Sequence, residues 1–180
     1  IHNDFINSNN VVEIIKKNSF EMNLDIFSLD IDGIDYWILE KLPKKIAKIF
    51  IIEYNPYFGS KKEICAPNIE YFDRFKYHST GFCWGASLKA IIKLMKQKGY
   101  TFIGTNNLNV NSFFVQDEFI NKIGFNLPNL NDLSKYTEVK FNLLKNKNGR
   151  LVSLNEVYND IQNINVYNLN KQKLMPFNET

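Results

Sequence analysis

The sequence predicts an α/β fold whose sheet is mostly parallel, with an antiparallel last strand, and three observations support this. Two apolar runs, 25–31 and 47–54, contain few polar residues on either face, which is typical of strands buried in a parallel sheet. Helical patterns alternate with these runs. Two shorter apolar runs then flank an Asn-rich turn, which indicates a hairpin. With 44% hydrophobic residues, the 180-residue chain can bury the core of one domain.

The first part of the chain is predicted to form a helix, a strand and a second helix. Residues 10–18 place apolar side chains at helical intervals. The run 25–31 is the first strand, and we expect other elements to cover both of its faces. This strand ends at Asp32, and residues 35–42 form a short helix that Pro43 ends.

The second strand and the longest helix follow in the same alternating order. The strand 47–54 ends before Pro56, because proline cannot continue a central strand. Residues 57–84 read as an aromatic-rich loop, and a loop of this length inside a domain is usually functional or carries a lid. Residues 86–98 have one apolar face and one lysine-rich face, and Gly99 suits the end of that helix.

A hairpin of strands 101–104 and 112–115 completes the first predicted region, residues 1–127. Residues 128–180 are more polar and are interpreted as a C-terminal extension. The sequence therefore predicts a chain with one α/β region and one polar extension.

The extension contains two local signals. Residues 139–144 and 151–152 flank an Asn-Gly turn and indicate a second hairpin. Ser153 and Glu156 have the spacing of a capping box, which predicts a helix that runs to about Ile161. We expect little order beyond that residue.

Composition and charge exclude several classes of function. The net charge is only +3, and no basic stripe is interleaved with aromatic residues, so nucleic acid is not an expected partner. Cys65 and Cys83 match neither a disulfide framework nor a metal-binding motif, and we expect free, buried thiols. The sequence has no apolar run of membrane-spanning length and no signal-like start, so the expected location is cytoplasmic.

Polar side chains follow both predicted strands where the strands end. Asp30 and Asp32 end the first strand, and Glu53 and Asn55 end the second. Ligands of open α/β sheets bind at the carboxyl ends of the strands, so we expect these four residues to share one crevice. Their oxygens suit a divalent cation such as Mg²⁺, with Asp30, Glu53 and Asn55 as ligands. They equally suit a substrate hydroxyl whose proton a carboxylate removes, with Asp30 or Asp32 as the catalytic group.

Each of these residues also has a structural interpretation. Asp32 can order the turn that precedes the helix, and Glu53 can pair with a lysine. Tyr36 and Trp37 follow the acidic pair and can stack on a flat cofactor such as adenine, or can belong to the core. His78 is a candidate catalytic base, although a loop histidine is often only a surface residue.

Four segments in order resemble the second half of FkbM-like class I methyltransferases: FSLDIDGIDYWILEKL (27–42), IFIIEYNPYFG (49–59), WGASLKAIIKLMKQKGYTFIGTN (84–106) and NSFFV (111–115). The stretch NGRLVSLNEVY (148–158) is also similar to the tail of such proteins. The specificity of this resemblance lies in the order and spacing of the segments.

This resemblance implies a Rossmann-like methyltransferase sheet and S-adenosyl-L-methionine as cofactor. Asp30 would end its fourth strand, Glu53 would end its fifth, and the hairpin would be the reversed sixth and seventh pair. In related cation-dependent enzymes these two strand ends supply metal ligands. The implied reaction is O-methylation of a sugar or another small hydroxylated acceptor, in which the protein positions and deprotonates the hydroxyl.

The chain departs from the family pattern at its start. It has no glycine-rich loop after a first strand and no acidic residue to hold the cofactor ribose, so those parts would precede Ile1. The sequence leaves other functions open. The Asp-x-Asp pair is also found in haloacid-dehalogenase-like phosphatases, although Ile34 replaces their usual threonine, and in metal-dependent glycosyltransferases. A non-catalytic scaffold is a further alternative.

Overall fold

The computed structural model describes residues 4–18, 20, 23–124, 126–140, 143–145 and 148–180, which form an α/β structure. The helices are α1 (Val11–Lys17), α2 (Asp35–Lys41), α3 (Arg74–Tyr77), α4 (Leu88–Gln97), α5 (Ser134–Thr137) and α6 (Leu154–Ile161). The strands are β1 (Leu24–Leu29), β2 (Ala47–Glu53), β3 (Ile64–Cys65), β4 (Tyr100–Thr105), β5 (Asn111–Gln116), β6 (Leu143–Lys145), β7 (Leu151–Ser153), β8 (Asn165–Asn168) and β9 (Lys173–Pro176). Short 3₁₀ helices lie at Pro56–Phe58, Asp117–Lys122 and Phe177–Glu179.

Four strands form the main sheet in the order β1-β2-β5-β4. β1 and β2 are parallel, whereas β5 is antiparallel to both of its neighbours, β2 and β4. β1, β2 and β4 therefore run in one direction and β5 runs in the other. The predicted α/β class with a reversed last strand is confirmed. The sheet is mixed rather than mostly parallel: because the reversed strand lies between β2 and β4 and not at the margin, two of the three described strand pairs are antiparallel.

β1 is less covered than the sequence predicts. Among the described strands, β1 lies at the margin of the sheet and forms hydrogen bonds with β2 along one edge only. Leu29 is buried, but Ile26 is 58% exposed and Phe27 is half-buried. The prediction that other elements cover both faces of this strand is therefore wrong, because an apolar sequence does not reveal whether a partner element packs on each face.

Helices α2 and α4 pack on the main sheet and follow the predicted pattern closely. α2 buries Ile38 and Leu39 and ends before Pro43. In α4, Leu88 and Ile91 are buried on the apolar face. The α4 helix begins at its N-cap Ser87, whose side chain accepts a hydrogen bond from the Ala90 amide at 3.3 Å.

A second, three-stranded sheet has the order β3-β8-β9 and was not predicted. β8 and β9 lie beyond Ile161, so the expectation of little order there is wrong. β8 pairs with β3, which belongs to the long loop about 100 residues earlier in the chain. Val166 and Phe177 are buried in the core beside this sheet. Such a distant pairing gives no local sequence signal.

The predicted hairpin and helix of the C-terminal extension are present. β6 and β7 are antiparallel, although residues 141–142, part of the predicted first strand, lie outside the described residues. Helix α6 begins with a capping box in which Ser153 and Glu156 each bond to the other's backbone amide. The Tyr54 hydroxyl donates to the Tyr136 carbonyl and thereby ties the extension to the end of β2.

Within the described ranges, none of the helices is long and apolar enough to cross a bilayer. Cys65 and Cys83 are free and buried, as the sequence predicts. Burial raises the pKa of the Cys83 thiol to about 12, so the thiol stays protonated at neutral pH.

Candidate functional site

The two strand ends that carry the predicted site lie side by side. In the parallel pair, Leu29 is opposite Ile52, so Asp30 and Glu53 are the next residues along neighbouring strands. The charges of Asp30 and Asp32 both act on Glu53. The prediction that the two strand ends are adjacent is therefore confirmed. The four residues do not share one crevice, because Asp32 and Glu53 line one cleft whereas Asp30 lines a separate groove along β1.

Glu53 is the most perturbed of these carboxylates. Its Oε2 atom is buried and has no hydrogen-bond partner among the described residues. Burial, reinforced by the charges of Asp30 and Asp32, raises the pKa of Glu53 to about 8, and Arg74 only partly opposes this. A carboxylate with such a pKa is a much stronger base than an exposed glutamate, which suits removal of a proton from a bound hydroxyl.

Asp32 and Asp30 have different surroundings from Glu53. Asp32 adopts a left-handed backbone conformation, with φ of 53°, and its Oδ1 lies 2.6 Å from Nη1 of Arg74. Asp32 is therefore held in an ion pair at the rim of the site. Asp30 is largely exposed to solvent. The part of its carboxyl group that is shielded from water, together with the nearby charge of Asp32, raises the pKa of Asp30.

A buried carboxylate that sequence reasoning missed supports the turn between β1 and α2. The side chain of Asp35 accepts hydrogen bonds from the amides of Ile31 and Gly33, each at 3.1 Å. Burial raises the pKa of Asp35 to about 6, although these two hydrogen bonds act in the opposite direction. The Gly85 amide donates to the Gly33 carbonyl at 2.7 Å, so Asp35 indirectly joins the strand end to the long loop.

Asn55 has a structural role, so its predicted role as a metal ligand does not fit. Its side chain is completely buried; Nδ2 donates to the carbonyls of Phe82 at 3.0 Å and Trp84 at 3.1 Å, and Oδ1 accepts from the Tyr57 amide at 3.0 Å. The amide therefore already binds three backbone groups. In the part of the chain that the structure describes, no three His, Cys, Asp or Glu side chains converge as a metal site would require. These residues do not fit the predicted Mg²⁺ site.

A cleft of about 270 Å³ opens beside the strand ends. Its lining combines carboxylates, one cation and several aromatic rings: Asp32, Glu53, Pro56, Tyr57, Arg74, Phe75, Thr80, Gly81, Phe82, Trp84 and Val110. The Arg74 guanidinium lies 5.0 Å from the ring centroid of Phe75 and 5.2 Å from that of Trp84. We call this space the strand-end cleft.

The strand-end cleft also concentrates unpartnered polar atoms. Among the described residues, three buried side-chain atoms have no hydrogen-bond partner: Glu53 Oε2, Tyr57 Oη and Trp84 Nε1. All three residues line this cleft. An unpartnered buried polar group costs about 1–3 kcal/mol, so three of them around one cleft call for an explanation, such as a ligand that supplies the missing partners.

Tyr36 and Trp37 do not lie in the strand-end cleft. Trp37 Nε1 donates to the Ala66 carbonyl at 2.8 Å, and its ring packs edge-on against Tyr36 and Tyr167. Tyr36, Trp37 and Tyr167 line a separate pocket of about 230 Å³. The structure therefore does not bring the predicted cofactor-stacking residues to the acidic strand ends.

His78 lies near the cleft but does not line it. Its Nδ1 is 2.9 Å from the Thr80 hydroxyl, and Thr80 is a lining residue. Sequence reasoning missed Tyr57, Arg74 and Trp84, which line the cleft and all belong to the long aromatic-rich loop. The signal that could have found them was the length of that loop.

No protein-family model, curated protein or solved structure matches the chain. The interpretation of the site therefore depends on its geometry alone. That geometry defines a polar and aromatic cleft at the carboxyl ends of a parallel strand pair, with a half-buried glutamate whose pKa is raised by burial.

Proposed function

We propose that the chain is part of a Rossmann-like, S-adenosylmethionine-dependent methyltransferase domain that methylates a hydroxyl of a sugar or another small acceptor. The observation that carries this proposal is Glu53. It ends β2 beside Asp30, its Oε2 has no partner among the described residues, and it lines a cleft of a size that suits a small ligand.

The order of the main sheet supports the proposal. The resemblance to FkbM-like enzymes implies a fourth strand, a parallel fifth strand and a reversed pair at one end of the sheet. β1 and β2 form a parallel pair, and the hairpin β4-β5 contributes the reversed strand beside β2.

A second groove, of about 360 Å³, is the candidate cofactor site on this proposal. It runs along β1 and is mainly apolar, and Asp30 and Ile31 are among its lining residues. A cationic sulfonium would be favoured near the exposed Asp30 carboxylate. On this proposal Asp30 and Ile31, rather than Tyr36 and Trp37, face the cofactor.

The chemistry assigns one main task to this chain. S-adenosylmethionine, when bound, supplies the methyl group and a thioether leaving group. The strand-end cleft holds the acceptor so that its hydroxyl faces Glu53. With the cofactor bound, the ionised Glu53 carboxylate would accept the hydroxyl proton as the acceptor oxygen takes up the methyl group.

The metal-dependent alternatives have no comparable support. In a phosphatase or a glycosyltransferase that uses the Asp-x-Asp pair, both carboxylates would approach one metal ion. Here Asp32 binds Arg74, and Asn55 binds backbone groups. A non-catalytic scaffold is the outcome that the experiment below distinguishes.

Transfer of a labelled methyl group from S-adenosylmethionine by the intact protein tests the proposal. Glu53→Gln should lower kcat by about 10²–10⁴-fold, because a neutral amide cannot accept the proton. Glu118→Gln is the matched control, since Glu118 is exposed and pairs with Lys45 on the surface. Undiminished transfer by Glu53→Gln would remove Glu53 from the chemistry, and absence of transfer by the unchanged protein with every hydroxylated acceptor would favour a scaffold.

A further inference from the structure

The strand-end cleft contains two polar groups that proton removal by Glu53 does not use. Tyr57 is 2% exposed and Trp84 is 7% exposed. Within the described residues, neither Tyr57 Oη nor Trp84 Nε1 has a hydrogen-bond partner. A ligand that supplies both partners would remove the cost of leaving them unpaired.

The positions of Tyr57 and Trp84 are fixed by a third residue. Asn55 binds the amide of Tyr57 and the carbonyl of Trp84 with one side chain. The two rings are consequently held edge to face, with centroids 5.7 Å apart. A rigid pair of groups discriminates between ligands better than a flexible pair, because binding does not have to order it first.

The donors and acceptors define the ligand that fits. The Trp84 indole N–H can only donate, so it requires an oxygen or another acceptor. The Tyr57 hydroxyl can donate or accept, and the ionised Glu53 carboxylate can only accept. A single hydroxyl can donate to Glu53 and accept from both other groups only when all three atoms lie within hydrogen-bond reach of one oxygen. Two adjacent oxygens on the ligand satisfy the three groups without that constraint.

Charge disfavours an anionic ligand at the pH values where Glu53 is ionised. Among the described lining residues, Arg74 is the one cation, and Asp32 already pairs with it at 2.6 Å. Glu53 adds a further negative charge when it is ionised. A carboxylate or phosphate on the ligand would meet net repulsion, whereas a neutral polar ligand would not.

We propose that Tyr57 and Trp84 are the specificity-determining residues of the strand-end cleft, where they bind a second oxygen of a neutral vicinal diol beside the hydroxyl that faces Glu53. Binding of the diol needs only this cleft. The identification of that diol as the methyl acceptor rests on the proposed function.

Two-dimensional ¹H–¹⁵N spectra of the full chain test this inference directly. The sequence has two tryptophans, Trp37 and Trp84, so two indole signals are expected, and Trp37→Phe assigns them. The Trp37 indole donates to Ala66 and serves as the internal control. The probes are cis-1,2-cyclohexanediol and cyclohexanol, which differ by one hydroxyl.

The diol should shift the Trp84 signal in a saturable manner and leave the Trp37 signal in place. Cyclohexanol should bind about tenfold more weakly, since the loss of a hydrogen bond worth ~1.4 kcal/mol corresponds to that factor. Tyr57→Phe keeps the ring and should reduce the preference for the diol. Tyr36→Phe, in the separate pocket, is the matched control and should not change it.

Equal affinity for the two probes, or a Trp84 signal that neither probe moves, would overturn the inference. So would an unchanged diol preference in Tyr57→Phe. The methyl-transfer assay separates this inference from the proposed function. Diol binding without methyl transfer to any acceptor would reject the proposed function and keep the diol-binding site. Methyl transfer with no preference for vicinal diols would keep the proposed function and reject the diol-binding site.

Discussion

Replacing Glu53 with glutamine should stabilise the protein relative to the unchanged chain, and the advantage should grow as the pH rises. In the folded chain burial raises the pKa of Glu53 to about 8, whereas the ordinary value is 4.5. Between these two pH values the unfolded chain releases the proton while the folded chain keeps it. The free energy of unfolding of the unchanged protein therefore falls as the pH rises through this interval, and it levels off above about 8.

The size of the effect follows from the same interval. At ~1.36 kcal/mol for each pH unit, the upper limit is ~5 kcal/mol, and solvent around the partly exposed side chain reduces this to about 2–4 kcal/mol. The glutamine amide does not titrate. The difference in the free energy of unfolding between Glu53→Gln and the unchanged protein should thus increase by this amount between pH 4.5 and pH 8 and stay constant above pH 8.

Urea unfolding followed by tryptophan fluorescence, across this pH range, measures the difference. Glu118→Gln is again the control, and its difference from the unchanged protein should stay within ~0.5 kcal/mol, as for an exposed residue. A Glu53→Gln curve that runs parallel to that of the unchanged protein would refute the argument. It would mean that Glu53 is as well solvated in the folded chain as in the unfolded chain.

Two further substitutions test the framework of the site. Asn55→Ala should lower the free energy of unfolding by about 2–4 kcal/mol in thermal or urea unfolding, because three buried backbone groups lose their partner; a change below ~1 kcal/mol would contradict the structural role of Asn55. Phe177→Ala should cost about 3–5 kcal/mol in the same measurement, because Phe177 is 6% exposed in the core beside the second sheet. An unaffected Phe177→Ala protein would show that the last strands do not pack as described.

The local pattern was sufficient to predict the main sheet and its helices. Alternation of apolar runs with amphipathic helices predicted β1, β2, α2 and α4 to within a few residues. Proline and glycine predicted several of their ends, since their backbone restrictions act locally. The capping box at Ser153 and Glu156 was sufficient to predict α6.

The parts that sequence reasoning missed depend on contacts between distant residues. β8 is stabilised by pairing with β3, which is far away in the sequence. The polar composition of β8 alone does not reveal this partner and therefore predicts little order. Asn55 follows β2 in the position of a ligand, but its buried amide binds backbone groups near residue 84. A pattern of residue types could place Asn55 at the strand end, but not show which groups it contacts.

The candidate site was predicted in part for the same reason. Asp30 and Glu53 were expected together because carboxyl ends of parallel strands share an edge, a rule that needs only strand direction. Tyr57, Arg74 and Trp84 belong to a loop whose path is set by tertiary contacts. Their convergence could not be predicted from spacing.

The second sheet connects the last strands of the chain, β8 and β9, to the loop that lines the cleft. β8 pairs with β3 inside the loop that carries Trp84, and the Tyr77 hydroxyl donates to the Asn165 carbonyl at 2.7 Å. Lys62 reaches the Phe177 carbonyl at 2.6 Å. Fraying of the last two strands on warming would release the wall of the cleft while the main sheet stays folded, so ligand affinity should decline at a lower temperature than the one at which the protein melts.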